Sequence, residues 1–192
     1  IDPYQPINIK KLRGLKKRKR YVYSTATMLG PDAEIIDSYR KVYPLPFGEF
    51  LPFGETFPFL KRVFAEVGSF SPGEEIKNFK TKFGNAAPSI CYEIIIPSFT
   101  RKFIKKGANF ILNLTNDGWF GKTKASYEHL SLAMFRAIEN RVPIVRSTNS
   151  GVSVFISATG KFTSRMTKLY KKTVLTGEIR PLNIRTFYTQ YG

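Results

Sequence analysis

Three short apolar runs, APSICYEII (87–95), ANFILNL (108–114) and PIVRSTN (143–149), are separated by two stretches of helical spacing, and this alternation constrains the fold more than any other feature. The runs are of strand length. Between them, PSFTRKFIKKGA (97–108) is amphipathic with Gly107 as its stop, and YEHLSLAMFRAIENR (127–141) places Leu130, Ala133, Met134, Ala137 and Ile138 at helix spacing. Strand, helix, strand, helix, strand is the signature of an α/β sheet with helices covering a face.

The flanks add smaller elements. YVYSTATML and EIIDSY read as strands of a hairpin around Gly30-Pro31-Asp32, LKRVFAEVG (60–68) as a helix stopping at Gly68, and SPGEEIKNFKTKFG (71–84) as turns around a short edge strand. GVSVFIS (151–157) follows the Asn149-Ser150-Gly151 turn as a strand, and TVLTGEI (173–179) is expected to be the last one. Between hairpin and helix, PLPFGEFLPFGETFP (44–58) has too much Pro and Gly for regular structure, yet carries large apolar side chains that must be buried or offered to a partner.

A chain of 192 residues, 42% hydrophobic, suffices for one domain. Thirty-one Lys and Arg against 14 Asp and Glu give +17, which calls for an anionic partner, either a lipid headgroup surface or nucleic acid. The densest block, KKLRGLKKRKR (10–20), reads first as a solvated or disordered arm. One Cys and one His exclude a disulfide framework and multi-ligand zinc clusters, so neither a metal nor any other cofactor is expected. No apolar stretch approaches the roughly 18–20 residues that span a bilayer. The start, Ile1-Asp2-Pro3, has neither an initiator Met nor a signal-peptide pattern, and the expectation is a piece of a longer chain.

The chemistry centres on Cys91. It stands where a buried strand runs out into a loop, the usual place for a reactive group in an α/β sheet. By itself a lone Cys in an apolar run is more often a small core residue. Its company changes that reading: Lys41 and Glu49 flank the Pro-rich loop, Glu93 follows two residues after Cys91, and Asn116 and Asp117 end the next strand. A thiolate needs a nearby cation, and a tetrahedral intermediate needs donors for its oxyanion; Lys41 and a backbone N–H after Cys91 are the candidates.

Taken together, KVYPLPFGEFLPFG (41–54), SICYE (89–93), NLTNDGWFG (113–121) and EHLSLAMFRAIENRVPIVRSTNSGVS (128–153) resemble the carbon-nitrogen hydrolase (nitrilase) superfamily, and within it the branch of bacterial apolipoprotein N-acyltransferases. The resemblance covers residues 21–192 and leaves the basic segment 1–20 poorly matched. It implies a nitrilase-like four-layer αββα sandwich, N-terminally incomplete, with a Glu, Lys and Cys triad. Cys91 matches the nucleophile, Lys41 the triad lysine and Glu49 a second, supporting glutamate. Tyr92 and Glu93 match the residues beside the nucleophile, and Asn116 and Trp119 fall in the matching TNDGWFG loop, where a bulky aromatic suits an acyl chain.

The general-base glutamate of the triad belongs before the Lys41 strand, where residues 1–20 offer only Asp2, in no matching pattern. Gly118 stands in place of a more usual Ala, and Glu128 in place of Gln. NIRTFYTQYG (183–192) resembles the lead into a final membrane helix. The implied activity is transfer of an acyl group from a phospholipid, through a Cys91 thioester, to the N-terminal amine of diacylglyceryl-cysteine in an apolipoprotein. The implied place is the extracytoplasmic face of the bacterial inner membrane, and little activity is expected of residues 1–192 alone. Two other readings stand beside it: a soluble nitrilase-type amidase, and an inactive remnant or basic nucleic-acid-binding module, nucleic acid being the less favoured partner.

Overall fold

In the computed structural model of the chain, residues 21–192 are described, apart from Glu55 and Glu66. The basic block 10–20 lies outside the described residues. The elements run β1 (Thr25–Leu29), β2 (Ile35–Arg40), α1 (Leu60–Val63), β3 (Phe79–Thr81), β4 (Gly84–Ile90), α2 (Pro97–Lys105), β5 (Phe110–Thr115), α3 (Ala125–Asn140), β6 (Ile144–Thr148), β7 (Val154–Ile156) and α4 (Phe187–Tyr191).

The alternation read from the sequence becomes a five-stranded sheet ordered β3-β4-β5-β6-β7, in which β4, β5 and β6 are parallel and the short edge strands β3 and β7 are antiparallel. Helices α2 and α3 are the crossovers that parallel neighbours require. Both bury one stripe: Phe99, Phe103 and Ile104 from α2, and Leu130, Ala133 and Ala137 from α3. They meet Ala86, Ala87, Ile111 and Ile144 of the sheet in one core cluster. Pro88 is tolerated within β4 because β3 pairs no further along it than Ala86, so no ladder partner on that side loses a donor. The β1–β2 hairpin pairs Thr25 with Arg40 and Ala26 with Tyr39, and plants Tyr39 edge-on against Phe103.

Several expected elements come out shorter. The strand expected to end near Cys91 ends at Ile90, and Cys91–Ile95 coil into a 3-10 turn. The helix expected over 60–68 keeps only Leu60–Val63, and the strand expected over 151–157 keeps only Val154–Ile156. TVLTGEI forms no strand: Gly177 lies against the Phe155 ring of β7, but the segment shares no ladder with it, and Val174 is 92% exposed. Within the Pro-rich loop the two LPFG stretches adopt the same turn, with Phe47 at φ 59° and Phe53 at φ 60°, and each Gly N–H donates to its Leu carbonyl at 3.2 Å. Among the described residues no helix is long and apolar enough to cross a membrane.

Gly107 shows how a helix stop sets the sheet. At φ 91° it lets its own N–H reach the Ile104 carbonyl at 2.9 Å and the Ala108 N–H reach that of Phe103 at 3.1 Å, closing α2 and turning the chain into β5. A Cβ there would meet only the Asn85 amide at 3.9 Å, so its cost is conformational. Gly107→Ala is therefore expected to lower stability by about 1 kcal/mol, measured by urea unfolding, with the fold retained.

Candidate active site

Cys91 is the first residue past β4, and its backbone leaves the strand sharply: Ile90 is extended at φ −99°, whereas Cys91 has φ 50°. A left-handed conformation is costly for a side chain with a Cβ and recurs where a reactive group must be held out of line. The thiol is free and half-buried.

Two residues on, Glu93 is completely buried. Its Oε2 accepts the Ile90 N–H at 2.8 Å, and its Oε1 accepts the Tyr39 hydroxyl at 2.7 Å, the Val42 N–H at 2.7 Å and the Tyr43 N–H at 3.2 Å. One carboxylate thus fastens the turn after Cys91 to the chain leaving β2. Burial pushes the Glu93 carboxyl up, and the donors around it oppose that rise. Burial and then the Glu93 charge push the Tyr39 hydroxyl up as well, which keeps it protonated as the donor.

The chain so fastened carries Lys41. Its N–H donates to the Ser24 carbonyl at 2.8 Å, and its own carbonyl accepts from Gly73 at 2.7 Å, a close approach at which a Cβ on Gly73 would strike the Arg40 carbonyl. The side chain is 1% exposed, and Nζ meets Glu49 Oε2 at 2.5 Å. That same oxygen accepts the Leu45 N–H at 2.6 Å, so the PFGE turn closes on its own carboxylate while presenting it to the lysine.

Beyond β5, Asn116 Oδ1 accepts the Gly118 N–H at 3.0 Å and the Asn149 amide at 2.7 Å, tying the loop after β5 to the loop after β6. Trp119 is 68% exposed and, with Phe47, Val63 and Phe64, lines a cavity of about 330 Å³. Tyr92 is half-buried in the turn between Cys91 and Glu93. Cys91, Lys41, Glu49 and Glu93 are therefore gathered by one set of contacts, and Asn116 and Trp119 stand at the same carboxyl edge of the parallel strands. Among the described residues no group of three or more His, Cys, Asp or Glu is placed to hold a metal ion.

A second polar cluster was not foreseen from the sequence. Arg146 on β6 is buried, with Nη1 donating to Asn113 Oδ1 and Nη2 to Asp117 Oδ2 at 2.9 Å. His129 of α3 brings Nδ1 to Asp117 Oδ1 at 3.0 Å, and the Thr115 hydroxyl reaches the same oxygen at 3.1 Å. Nδ1 also lies 3.2 Å from Arg146 Nη2, but arginine only donates, so an Nδ1–H given to the carboxylate is the consistent arrangement. Burial alone would raise the Asp117 carboxyl; the His129 hydrogen bond and the Arg146 charge outweigh it and hold it below the usual carboxylate range. The available signal was an arginine between apolar and small residues in PIVRS, which a buried strand accepts only with a partner.

The sequence model of the carbon-nitrogen hydrolase family matches residues 8–188. An apolipoprotein N-acyltransferase of Geobacter metallireducens is 38% identical over 176 residues, 92% of this chain and 33% of that protein. One from Bdellovibrio bacteriovorus is 42% identical over 150 residues, 76% of this chain and 27% of its own length. The chain thus spans about a third of the length of the relatives it matches. Among solved structures, a carbon-nitrogen hydrolase from Helicobacter pylori G27 superposes with TM-score 0.63 at 19% identity, covering 85% of this chain and 58% of that one. A mutant amidase of Nesterenkonia sp. AN1, with acrylamide added at its active-site cysteine, gives TM-score 0.60 at 19% identity, covering 87% and 59%. These structural likenesses show the fold: the nitrilase fold expected from the motifs is the one found.

Two outcomes follow from the site's electrostatics. Glu93→Gln keeps the shape but turns an NH₂ toward groups that only donate, and is expected to cost about 2 kcal/mol, read by urea unfolding, with the Lys41 segment loosened in hydrogen exchange. For Asp117 the folded carboxyl is the stronger acid. Its contribution is therefore full above the unfolded carboxylate range near ~4 and is lost as pH falls through the lower folded value. Asp117→Asn should accordingly flatten the acid limb of stability against pH.

Proposed function

The chain belongs to the carbon-nitrogen hydrolase family, and from that premise we propose that it is catalytic sequence of an apolipoprotein N-acyltransferase, with Cys91 as nucleophile and Lys41 as its cationic partner. The observation that carries this reading is the Glu93 carboxylate, which binds the N–H of Ile90 beside the nucleophile and those of Val42 and Tyr43 beside the lysine. Two residues 50 apart in sequence, Cys91 and Lys41, are thereby joined through one buried group.

In the proposed reaction the Cys91 thiolate attacks the ester carbonyl of a phospholipid. A C–S bond forms, and Lys41 with a backbone N–H beyond Cys91 steadies the oxyanion. Collapse breaks the ester C–O bond, and the lysophospholipid oxygen leaves with the proton that a carboxylate took from the Cys91 thiol. The N-terminal amine of a diacylglyceryl-cysteine then attacks the thioester, forming the amide C–N bond, breaking C–S and giving up its proton to a carboxylate. Glu49, paired with Lys41, is the candidate acceptor among the described residues. Tyr92, Asn116 and Trp119 support or line the site.

The surface around this site favours a lipid donor. Phe53 and Phe57 are exposed on the Pro-rich segment and Phe59 and Val63 just after it, with Trp119 exposed beside Phe47. Such an apolar patch marks an interaction surface. A charge of +17 suits anionic headgroups, each Lys or Arg near such a surface contributing about 1 kcal/mol. The proposed place of action is accordingly the extracytoplasmic face of the bacterial inner membrane. An amidase would use the same cysteine and lysine with water as acceptor, but gives this aromatic surface no purpose.

The test is to carry this sequence within a full-length, membrane-embedded protein, supply phospholipid and follow intact mass. One added acyl chain mapping to Cys91, absent in Cys91→Ala, is the expected result, with little acylation of residues 1–192 alone. A membrane-embedded protein that stays unacylated, or an adduct that persists in Cys91→Ala, would refute the reading.

A further inference from the structure

The cavity beside Trp119 has one wall of different origin from the rest. Phe47, Val63, Phe64 and Val67 belong to the segment between β2 and β3, whereas Trp119 reaches it from the loop after β5. Its side chain is largely exposed, so burial does little to hold it. At about 330 Å³ the cavity is at the small end of ligand sites, with room for part of one hydrocarbon chain and not for a whole lipid. In so small an apolar space, the place of one large wall decides what fits.

Contacts on both flanks fix that place. Trp119 lies in the 3-10 turn Asp117–Phe120, whose first residue is buried. Asp117 Oδ2 accepts Arg146 Nη2 at 2.9 Å, while Oδ1 accepts the His129 Nδ1–H at 3.0 Å and the Thr115 hydroxyl at 3.1 Å. Arg146 is held in turn by Asn113 of β5. A Cβ on Gly151 would collide with Asp117 Oδ2, so this glycine lets the loop after β6 close over the carboxylate. Immediately before Trp119, the Gly118 N–H donates to Asn116 Oδ1 at 3.0 Å. Immediately after it, the Phe120 ring stands edge-on to His129 with centroids 5.9 Å apart, and the Phe120 carbonyl accepts the Thr123 hydroxyl at 2.7 Å. A buried ion pair adds little net stability over apolar residues of the same volume, and Arg146 Nε and His129 Nε2 lie buried without hydrogen-bond partners among the described residues. What the cluster does supply is a fixed root for an exposed indole.

We propose that Asp117 is the positioning residue for Trp119: held by Arg146, His129 and Thr115, it makes the indole a rigid wall of an acyl-chain site and so selects donors by chain length. The proposed acyl transfer supplies the identity of the ligand. The hold on Trp119 stands on the contacts of the turn itself.

Trp119 is the only tryptophan in the chain, so its fluorescence reads this turn alone. The double variant Asp117→Asn with Arg146→Met removes the anchor and leaves no unpaired ion in the core. In it, the fast nanosecond component of the Trp119 anisotropy decay should grow about twofold. His129→Leu keeps the ion pair and removes one donor, and should move the same signal less in the same direction. The rate of Cys91 alkylation by iodoacetamide should be unchanged in both, because Glu93 holds the turn after Cys91. In the full-length, membrane-embedded protein, the double variant should change the ratio of acylation from palmitoyl and decanoyl phospholipids by about tenfold, what one methylene is worth in an apolar pocket. The proposal is overturned if neither variant loosens Trp119, if Cys91 alkylation changes with it as general damage to packing would make it, or if the acylation ratio stays put. A full-length protein that takes no acyl group from either donor, in which Trp119 still loosens as expected, would refute acyl transfer and leave the hold of Asp117 on Trp119 standing.

Discussion

Everything at the site depends on one buried carboxylate. Glu93 takes four hydrogen bonds, one from Ile90, the residue before Cys91, and three from the segment at the end of β2. A charged group enters a protein interior only when its lone pairs are filled, and backbone N–H groups are good partners because their positions are set by the fold itself. The same bonds that make the burial tolerable therefore fix where Lys41 stands relative to Cys91. Tyr39 completes the arrangement, with its ring packed against Phe103 of α2 and its hydroxyl on the carboxylate.

The sheet does the rest. Parallel strands β4, β5 and β6 end side by side, so the loops that follow them converge without further instruction. Cys91 follows the first, Asn116 and Asp117 the second, and Asn149 the third. Interlocking side chains then stiffen that edge: Asn116 bridges to Asn149, and Arg146 bridges Asn113 to Asp117. Against this edge lies the aromatic segment between β2 and β3, whose only helix among the described residues is Leu60–Val63.

Much of this was legible in the residues. The central strands and helices α2 and α3 stand where periodicity put them, because an apolar run of strand length and an amphipathic stretch of helix length each bury in essentially one way. The motifs gave the family, and the comparisons agree with it. Boundaries governed by neighbours were read less well. TVLTGEI has the composition of a strand, but a strand exists only with a partner to share its hydrogen bonds. The end of the buried strand near Cys91 was legible, whereas the left-handed turn at that residue is a matter of backbone angle that composition does not record.

By itself, then, the sequence determined that this chain builds an α/β sheet with Cys91 at the end of a buried strand, and which residue types accompany it. Only the tertiary structure decided what each of those residues does. Glu93 and Glu49 are the same residue type in different motifs, yet one is a buried clamp on backbone donors and the other a direct partner of Lys41. Arg146, one of many basic residues in a chain of charge +17, proved to be a fully buried cation with its own acid. The physical reason is that charge is a property of a residue, whereas burial and pairing belong to the three-dimensional surroundings, and it is these that turn a charge into a function.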